Sequence, residues 1–403
     1  MLVKFRVKNY RSFRDDTEFS MVASNAIKEH EETHVFQPKG RKYKLLKSAA
    51  IYGANASGKT NFLDAMYRMR TMVLHSFRDA EEPSIKRHPF LLRDNPESMP
   101  TEFEAIIIQD GIEYRYGFSF DAEVIKHEYL FRTVERESKL YERVDGSDFI
   151  FINNAFKEGK KLKDHLRPNV LFLSLLSYHN GEISKQVVAW FHQFNQLVEE
   201  FDAFPLSTIK ILERNSTLKS AIIDMLQNAD TDIVDFKVVD NGLDETPSIS
   251  TQHNYFSEQV QGMQTISFDL QEHESQGTRR FLSLAGPIID TLHRRSIVAI
   301  DEFESSLHPL LIEQLLRLLH SRDYNIGNAQ FIYTTHSPYL LDQRIQRRDQ
   351  VWLVEKDDSS SSQMIALSDY KVRNDTALAK NYLQGRFGGI PYIDSLLPEG
   401  ENE

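Results

Sequence analysis

The string Gly53-Ala54-Asn55-Ala56-Ser57-Gly58-Lys59-Thr60 constrains this chain more than any other stretch. It follows the short apolar run Ala49-Ala50-Ile51-Tyr52 and precedes Phe62, Met66, Met69, Val73 and Phe77, which recur at helical spacing and predict a helix ending near Arg78. A strand, a glycine-rich loop of the form G-x-x-x-x-G-K-[ST] and a helix, in that order, make a phosphate cradle. The glycines let backbone N–H groups turn inward, and the helix start adds its positive dipole end. Lys59 is expected to reach the β- and γ-phosphates of a nucleotide. Thr60 is expected to offer its hydroxyl to Mg²⁺, a hard cation that takes oxygen ligands.

Composition narrows the setting. At 403 residues the chain has room for two domains, or for one large domain with an insertion, and 40% hydrophobic with 27% charged residues is the balance of an ordinary soluble protein. The longest apolar stretch, Val170 to Leu176, is far below the roughly 20 residues of a membrane span, so no transmembrane helix is expected. Met1-Leu2-Val3-Lys4-Phe5-Arg6-Val7 reads as a strand and not as a signal peptide, and the absence of cysteine excludes disulfides and cysteine-ligated zinc. A cytoplasmic location is the expectation. The net charge of −11 argues against a surface given over to nucleic acid but leaves room for a local basic patch. Lys39 to Lys47, Lys157 to Lys163 and Arg344 to Arg348 contain the candidates, each read first as a solvated face or turn.

Along the chain, Val3, Phe5 and Val7 alternate with charges, and Thr17 to Met21 begins a second strand, a hairpin compatible with a nucleotide base resting near Arg11 to Arg14. Residues 101 to 135 switch to period two around the turn signal Gln109-Asp110-Gly111, which predicts an antiparallel sheet. From 165 to 235 the pattern is helical, with Val187, Val188, Trp190, Phe191 and Phe194, then Ile209, Ile211 and Leu212, then Ile222, Ile223 and Leu226. Residues 240 to 265 read as a loop or weak hairpin, and Ser359 to Ser362 as a short flexible connector. The expected organisation is residues 1–160, the first part of a nucleotide-binding domain; 161–265, an inserted helical subdomain; and 266–403, the second part. The expected fold class is α/β, a P-loop NTPase with a mixed central sheet and an antiparallel extension.

A second set of polar residues lies in that last part. Ile297-Val298-Ala299-Ile300 is a buried strand ending in Asp301 and Glu302, the arrangement that holds Mg²⁺ through Asp301 and lets Glu302 polarise an attacking water. Gln330 to Thr335 is another buried strand, ending in His336, where an imidazole can hydrogen-bond a γ-phosphate or the water. Glu274-Ser275-Gln276-Gly277-Thr278-Arg279 opens a helix, so Ser275 and Gly277 sit at an anion-binding position.

Taken together, the phosphate loop, the Ser-x-Gly-Thr-x-Arg helix start, the run Asp301-Glu302-Phe303-Glu304-Ser305-Ser306-Leu307-His308-Pro309 and the Thr335-His336-Ser337-Pro338 strand end resemble the ABC-type ATPases of prokaryotic defence. These are the OLD, RloA and AriA group, related more distantly to RecF and SMC heads. The resemblance covers about residues 1–75 and 265–395, and Asn381 to Pro391 looks most like RloA-type chains. It implies ATP and Mg²⁺ as cofactors, with Lys59 and Thr60 as the Walker A lysine and metal ligand, Asp301 and Glu302 as the Walker B acids, Ser275 to Thr278 as the signature loop, Ser305 to His308 as the D-loop and His336 as the switch histidine. Gly53 to Asn61, with Ser275, Gly277, Thr278 and Ser305, would contact nucleotide. Lys59, Glu302 and His336 would carry catalysis. Gln109 is the one weak candidate for a Q-loop glutamine.

The pattern departs from its relatives in lacking a Toprim domain after His336 and the long arm of SMC proteins. The resemblance implies a head-to-tail dimer with ATP at the interface, built into a homo-oligomer without a membrane partner. The leading functional expectation is an antiphage ATPase sensor or scaffold controlling a separate effector, a nuclease, with DNA or RNA contact as an option. A RecF-like ATPase of DNA repair or recombination is the alternative, and a transporter nucleotide-binding subunit ranks third.

Overall fold

The computed structural model describes residues 1–79, 84–146, 148–197, 208, 211, 213, 215–228, 231–239, 247–370 and 377–391. The chain divides into two compact units, Met1–Phe194 with Ile332–Glu403, and Asn195–Phe331.

Seven antiparallel strands form one sheet of the first unit, in the order Asp148–Ile152, Glu137–Val144, Ile125–Thr133, Ile112–Phe120, Thr101–Gln109, Leu2–Lys8, Thr17–Ser20. Alternation along these strands buries Phe103, Ala105 and Ile107 and, opposite them, Tyr114, Tyr116 and Phe118 on one face, as a two-residue period requires. The turn that joins the latter two strands has Asp110 at φ 51° and Gly111 at φ 78°, the doubly positive geometry that matches strand twist. Gln109 pairs with Ile112 at that turn.

A second, mixed set of strands follows in the order Gln330–Thr335, Ser48–Gly53, Val351–Lys356, Ser362–Ala366. Val351 to Val354 run parallel to Ala50 to Gly53 and antiparallel to the last strand. Ser48–Gly53 is buried along its whole length, which is why it reads as a continuous apolar run and not as an alternating one.

At the heart of the first unit is a buried ion pair. Glu128 and Arg143 both have fully buried side chains, with Arg143 Nη2 2.6 Å from Glu128 Oε2. Glu128 also accepts from the hydroxyls of Tyr116 (2.9 Å) and Tyr141 (2.7 Å) and from the amides of Phe172 (2.8 Å) and Leu173 (3.1 Å). Those amides open the helix Phe172–Tyr178, so the carboxylate supplies the negative charge that a helix start favours. Burial and the Glu128 charge push both tyrosine hydroxyls well above their ordinary range, which keeps them donors.

The second unit holds the helices Ser216–Gln227, Gln276–Arg294 and Pro309–His320 and the strand Ile297–Ile300. It also holds an antiparallel sheet of Ile233–Val239, Ser248–Ser257 and Gly262–Asp269.

Several expectations change or sharpen here. The insert was placed at 161–265, whereas the compact unit runs from Asn195 to Phe331. The helices Phe172–Tyr178 and Glu182–Gln193 stay with the first unit, the former because Glu128 caps it. Of the loop or weak hairpin expected at 240 to 265, residues 248 to 269 form a long hairpin; its second strand is largely exposed, so backbone pairing holds it without an apolar stripe to read. The phosphate-loop helix ends at His75, whose carbonyl accepts from Arg78 and Asp79 in a closing turn. Ser359 to Ser362 is no slack connector, because Asp357 Oδ1 accepts from the amides of Ser359 and Ser361, both at 2.9 Å. Ile209, Leu212 and the Asn241-Gly242 signal lie outside the described residues. Among the basic candidates, Lys47 and Arg347 are core residues, the latter paired with Asp349 at 2.7 Å.

Two expected outcomes test this packing. Glu128→Ala strands the buried Arg143 guanidinium and should cost about 3–5 kcal/mol, read from chemical denaturation; a loss below about 1 kcal/mol would contradict the role given to the pair. His34 is buried, its Nε2 2.9 Å from the Ile345 carbonyl and its Nδ1 2.8 Å from the Thr33 hydroxyl, and burial lowers its pKa from 6.5 to about 3. The folded form therefore holds it neutral while the unfolded chain takes up a proton, so this contribution is full above pH 6.5 and is lost as pH falls from there towards 3. Denaturation midpoints at pH 7.5 and 5.5 should differ by on the order of 1 kcal/mol from this group, and His34→Gln should flatten the slope by that amount; an unchanged slope refutes it.

Candidate nucleotide site

The loop between Ser48–Gly53 and Lys59–His75 is fixed by close packing at its two glycines. A Cβ at Gly53 would lie 2.4 Å from the Val354 carbonyl oxygen and 2.5 Å from Ser57 Oγ. Gly58 has φ 117°, and a Cβ there would lie 2.2 Å from Ser362 Oγ and 2.7 Å from Ser12 Oγ. Neither position accepts a side chain without displacing its neighbours. Ser362 donates from its hydroxyl to the Ser57 carbonyl (2.5 Å) and from its amide to the Ser12 carbonyl (2.7 Å), while Asn61 Nδ2 donates to Ser12 Oγ (2.9 Å).

Charge at this loop is positive by construction. The helix Lys59–His75 has no acid in its first turn and no side-chain cap on its N-terminus, so its dipole end is left for an anion. Lys59 is buried, and its Nζ donates to the carbonyls of Gly53 and Ala54, both at 3.0 Å. The ammonium is thus held across the loop. Ser57 Oγ is buried with no partner among the described residues, a further polar atom inside the cradle. Asn55, Ala56 and Thr60 are exposed. The donor set fits a polyphosphate.

Several contributors were not foreseen. Ser12 and Ser362 support the loop from opposite ends of the sequence, and Arg14 N donates to Ser361 Oγ at 3.2 Å beside them. The segment after the helix Leu378–Leu383 also arrives here. Gly385, Gly388 and Gly389 have positive φ, Gly389 N donates to Glu355 Oε2 (3.1 Å), and Tyr382 donates its hydroxyl to the Gly389 carbonyl (3.0 Å). A Cβ on Gly389 would lie 3.7 Å from Gly53 Cα. The cluster of glycines was the available signal. His336 follows the strand Gln330–Thr335, neighbour of Ser48–Gly53, and is half-buried.

In the second unit the other expected residues gather. Asp301 is buried just after the strand Ile297–Ile300, and Glu302 has φ 47°, a left-handed conformation that costs a non-glycine residue about 1–2 kcal/mol. Arg280, buried and unforeseen, donates from Nη2 to the carbonyls of Asp301 (3.1 Å) and Glu302 (2.8 Å), and Ser305 N donates to the Glu302 carbonyl at 3.0 Å. Ser275 caps the helix Gln276–Arg294, accepting from Thr278 N at 3.1 Å with the two hydroxyls 2.8 Å apart. A Cβ on Gly277 would sit 3.2 Å from the Ser306 carbonyl. Ser275, Gly277, Thr278, Asp301, Glu302 and Ser305 therefore belong to one packed group. Among the described residues no three His, Cys, Asp or Glu side chains cluster as a metal site.

A family model described as "AAA domain, putative AbiEii toxin, Type IV TA system" matches residues 48–342. The chain belongs to this family. It is a P-loop ATPase with an α/β fold and a mixed sheet, and the expectation of an ABC-like AAA ATPase of the defence group holds at the level of the family. Among solved structures, it is similar to the SMC head domain from Thermotoga maritima, at 15% identity and TM-score 0.43, covering 91% of this chain and 98% of that one. It is also similar to an SMC head bound to the C-terminal winged-helix domain of ScpA, at 10% identity and TM-score 0.46, covering 91% and 97%. No curated protein matches. No helix among the described residues of this AAA-family chain is long and apolar enough to cross a membrane.

Gly58→Ala should weaken nucleotide binding at least tenfold, measured by titration with a fluorescent ATP analogue, while the far-ultraviolet circular dichroism stays that of the parent. Undiminished affinity would show that the packing against Ser12 and Ser362 does not shape the loop.

Proposed function

We propose that this ATPase is a nucleotide-driven switch of antiphage defence: ATP joins two copies head to tail, hydrolysis releases them, and the cycle controls a separate effector protein, a nuclease. The observation that carries the reading is the presence of two differently built anion-binding helix starts in one chain. One, at Gly58 to Asn61, is uncapped and carries a buried lysine. The other, at Ser275 to Thr278, is serine-capped and packed against the segment that follows Asp301 and Glu302. A single triphosphate on a single chain needs only the first, so the second is assigned to the neighbouring copy's nucleotide. The family's description, which places a putative toxin in a TA system, is compatible with action on a second protein.

In this reading Lys59 neutralises the β- and γ-phosphates. Thr60 and Asp301 are the protein ligands of Mg²⁺, which on binding supplies charge neutralisation to the phosphate oxygens. Glu302 accepts the proton of the attacking water, and His336 hydrogen-bonds the γ-phosphate. Ser275, Gly277, Thr278 and Ser305 act across the interface. A cytoplasmic location suits such a system, and contact of the assembly with DNA or RNA is compatible with it.

Glu302→Gln should lower ATP turnover at least 100-fold yet keep ATP-dependent association in analytical ultracentrifugation, whereas Lys59→Ala should lose both, and EDTA should abolish turnover. Mixing Ser275→Arg with Glu302→Gln protein should restore part of the turnover, because one composite site then pairs an intact signature with an intact Glu302. Turnover by Glu302→Gln equal to that of the parent, or no rescue in the mixture, would sink the shared-site mechanism.

A further inference from the structure

At the far end of the phosphate-loop helix, 17 residues or roughly 25 Å from the loop, a second cavity opens. It has a volume of about 510 Å³ and is lined by Phe77, Arg78, His165, Arg167 and His179 together with aliphatic side chains. No acid lines it. Arg78, His165 and His179 make no ion pair with a carboxylate among the described residues, although the chain as a whole carries −11. A concave, locally cationic site on an acidic protein concentrates anions. Phe77 and His179 of the lining both pack on Tyr178, which does not itself line the cavity: the rings of Phe77 and Tyr178 are 4.6 Å apart, those of Phe77 and His179 5.9 Å, and Tyr178 is 58% exposed. Tyr178 closes the helix Phe172–Tyr178, whose start is anchored on buried Glu128.

We infer that this cavity binds a nucleotide unit distinct from the ATP of the phosphate loop, its phosphate held by Arg78 and Arg167 and its base stacked on Tyr178 and Phe77. Guanidinium groups suit phosphate, and an exposed ring accepts any base by its π-face. A simple anion would use the cations and leave the rings idle. The volume falls within the range of small-ligand sites, so it holds about one nucleotide. The same chemistry is offered by a free mononucleotide and by one unit of a single strand.

The test uses the full chain with two kinds of probe: fluorescein-labelled 12-mer oligo(dT) and oligo(U) followed by anisotropy, and AMP followed by calorimetry. Arg78→Glu should weaken binding at least tenfold and reduce the salt slope of oligonucleotide binding by about one. Tyr178→Ala should weaken it about tenfold through lost stacking. Both variants should keep the parent's basal ATP turnover, which shows that they fold, and Lys59→Ala should bind the probes as the parent does. Oligonucleotide binding that follows this pattern assigns a strand; AMP binding alone that follows it assigns a free nucleotide. The inference is overturned if the parent binds neither probe, if Arg78→Glu and Tyr178→Ala bind as well as the parent, or if Lys59→Ala abolishes binding. Failure here leaves the turnover and association of the Glu302 and Lys59 variants untouched, so it is separable from failure of the switch mechanism.

Discussion

Gly58 has no room for a side chain, and much of the first unit is arranged to keep it so. Its φ of 117° excludes ordinary residues, and the hydroxyls of Ser12 and Ser362 stand where a side chain would go. Those hydroxyls come from the turn after the first strand and from the strand pair near residue 360, each brought in by its own backbone pairing. The result is a loop whose amide direction is set by packing before any ligand arrives. Preorganised donors of this kind stabilise charge without reorganising when it appears, which is the general requirement for handling phosphate.

A different solution operates at Glu128. There the chain places a charge in its interior and surrounds it with five donors: an arginine, two tyrosines and two amides. Burying an ion pair gives little net stability, but leaving any member alone is severe, so such a cluster acts chiefly to specify one arrangement. It fixes three strands and one helix start in a single register. The same helix then presents Tyr178 at its other end.

Local chemistry explains what could be read in the sequence. Asp110-Gly111 announced its turn because only positive φ closes a two-residue hairpin, and the strands at 48–53 and 297–300 announced themselves because a strand covered on both faces must be apolar throughout. The phosphate loop, the Ser275 cap and the acids at 301 and 302 were legible for the same reason, since each is a short contiguous string. Ser12, Ser362, Arg280 and Gly389 were not, because their meaning lies in partners tens to hundreds of residues away. The hairpin at 248–269 was legible only as a loop or weak hairpin because its exposed Tyr255, Phe256 and Met263 break the alternation that betrays a half-buried strand. A helical pattern says nothing about which unit a helix joins; Glu128 decides that for Phe172–Tyr178.

The packing of Gly389 against Gly53 bears on how the protein is made. A chain emerging from the ribosome presents Ser12 and the loop early, but the strand carrying Glu355, the serine at 362 and the glycine turn at 385 to 389 only much later. Until then the cradle lacks its floor. Competence to hold a nucleotide therefore depends on residues 355 to 389 as much as on the loop itself, and a chain stopped before them lacks the packing that shapes it.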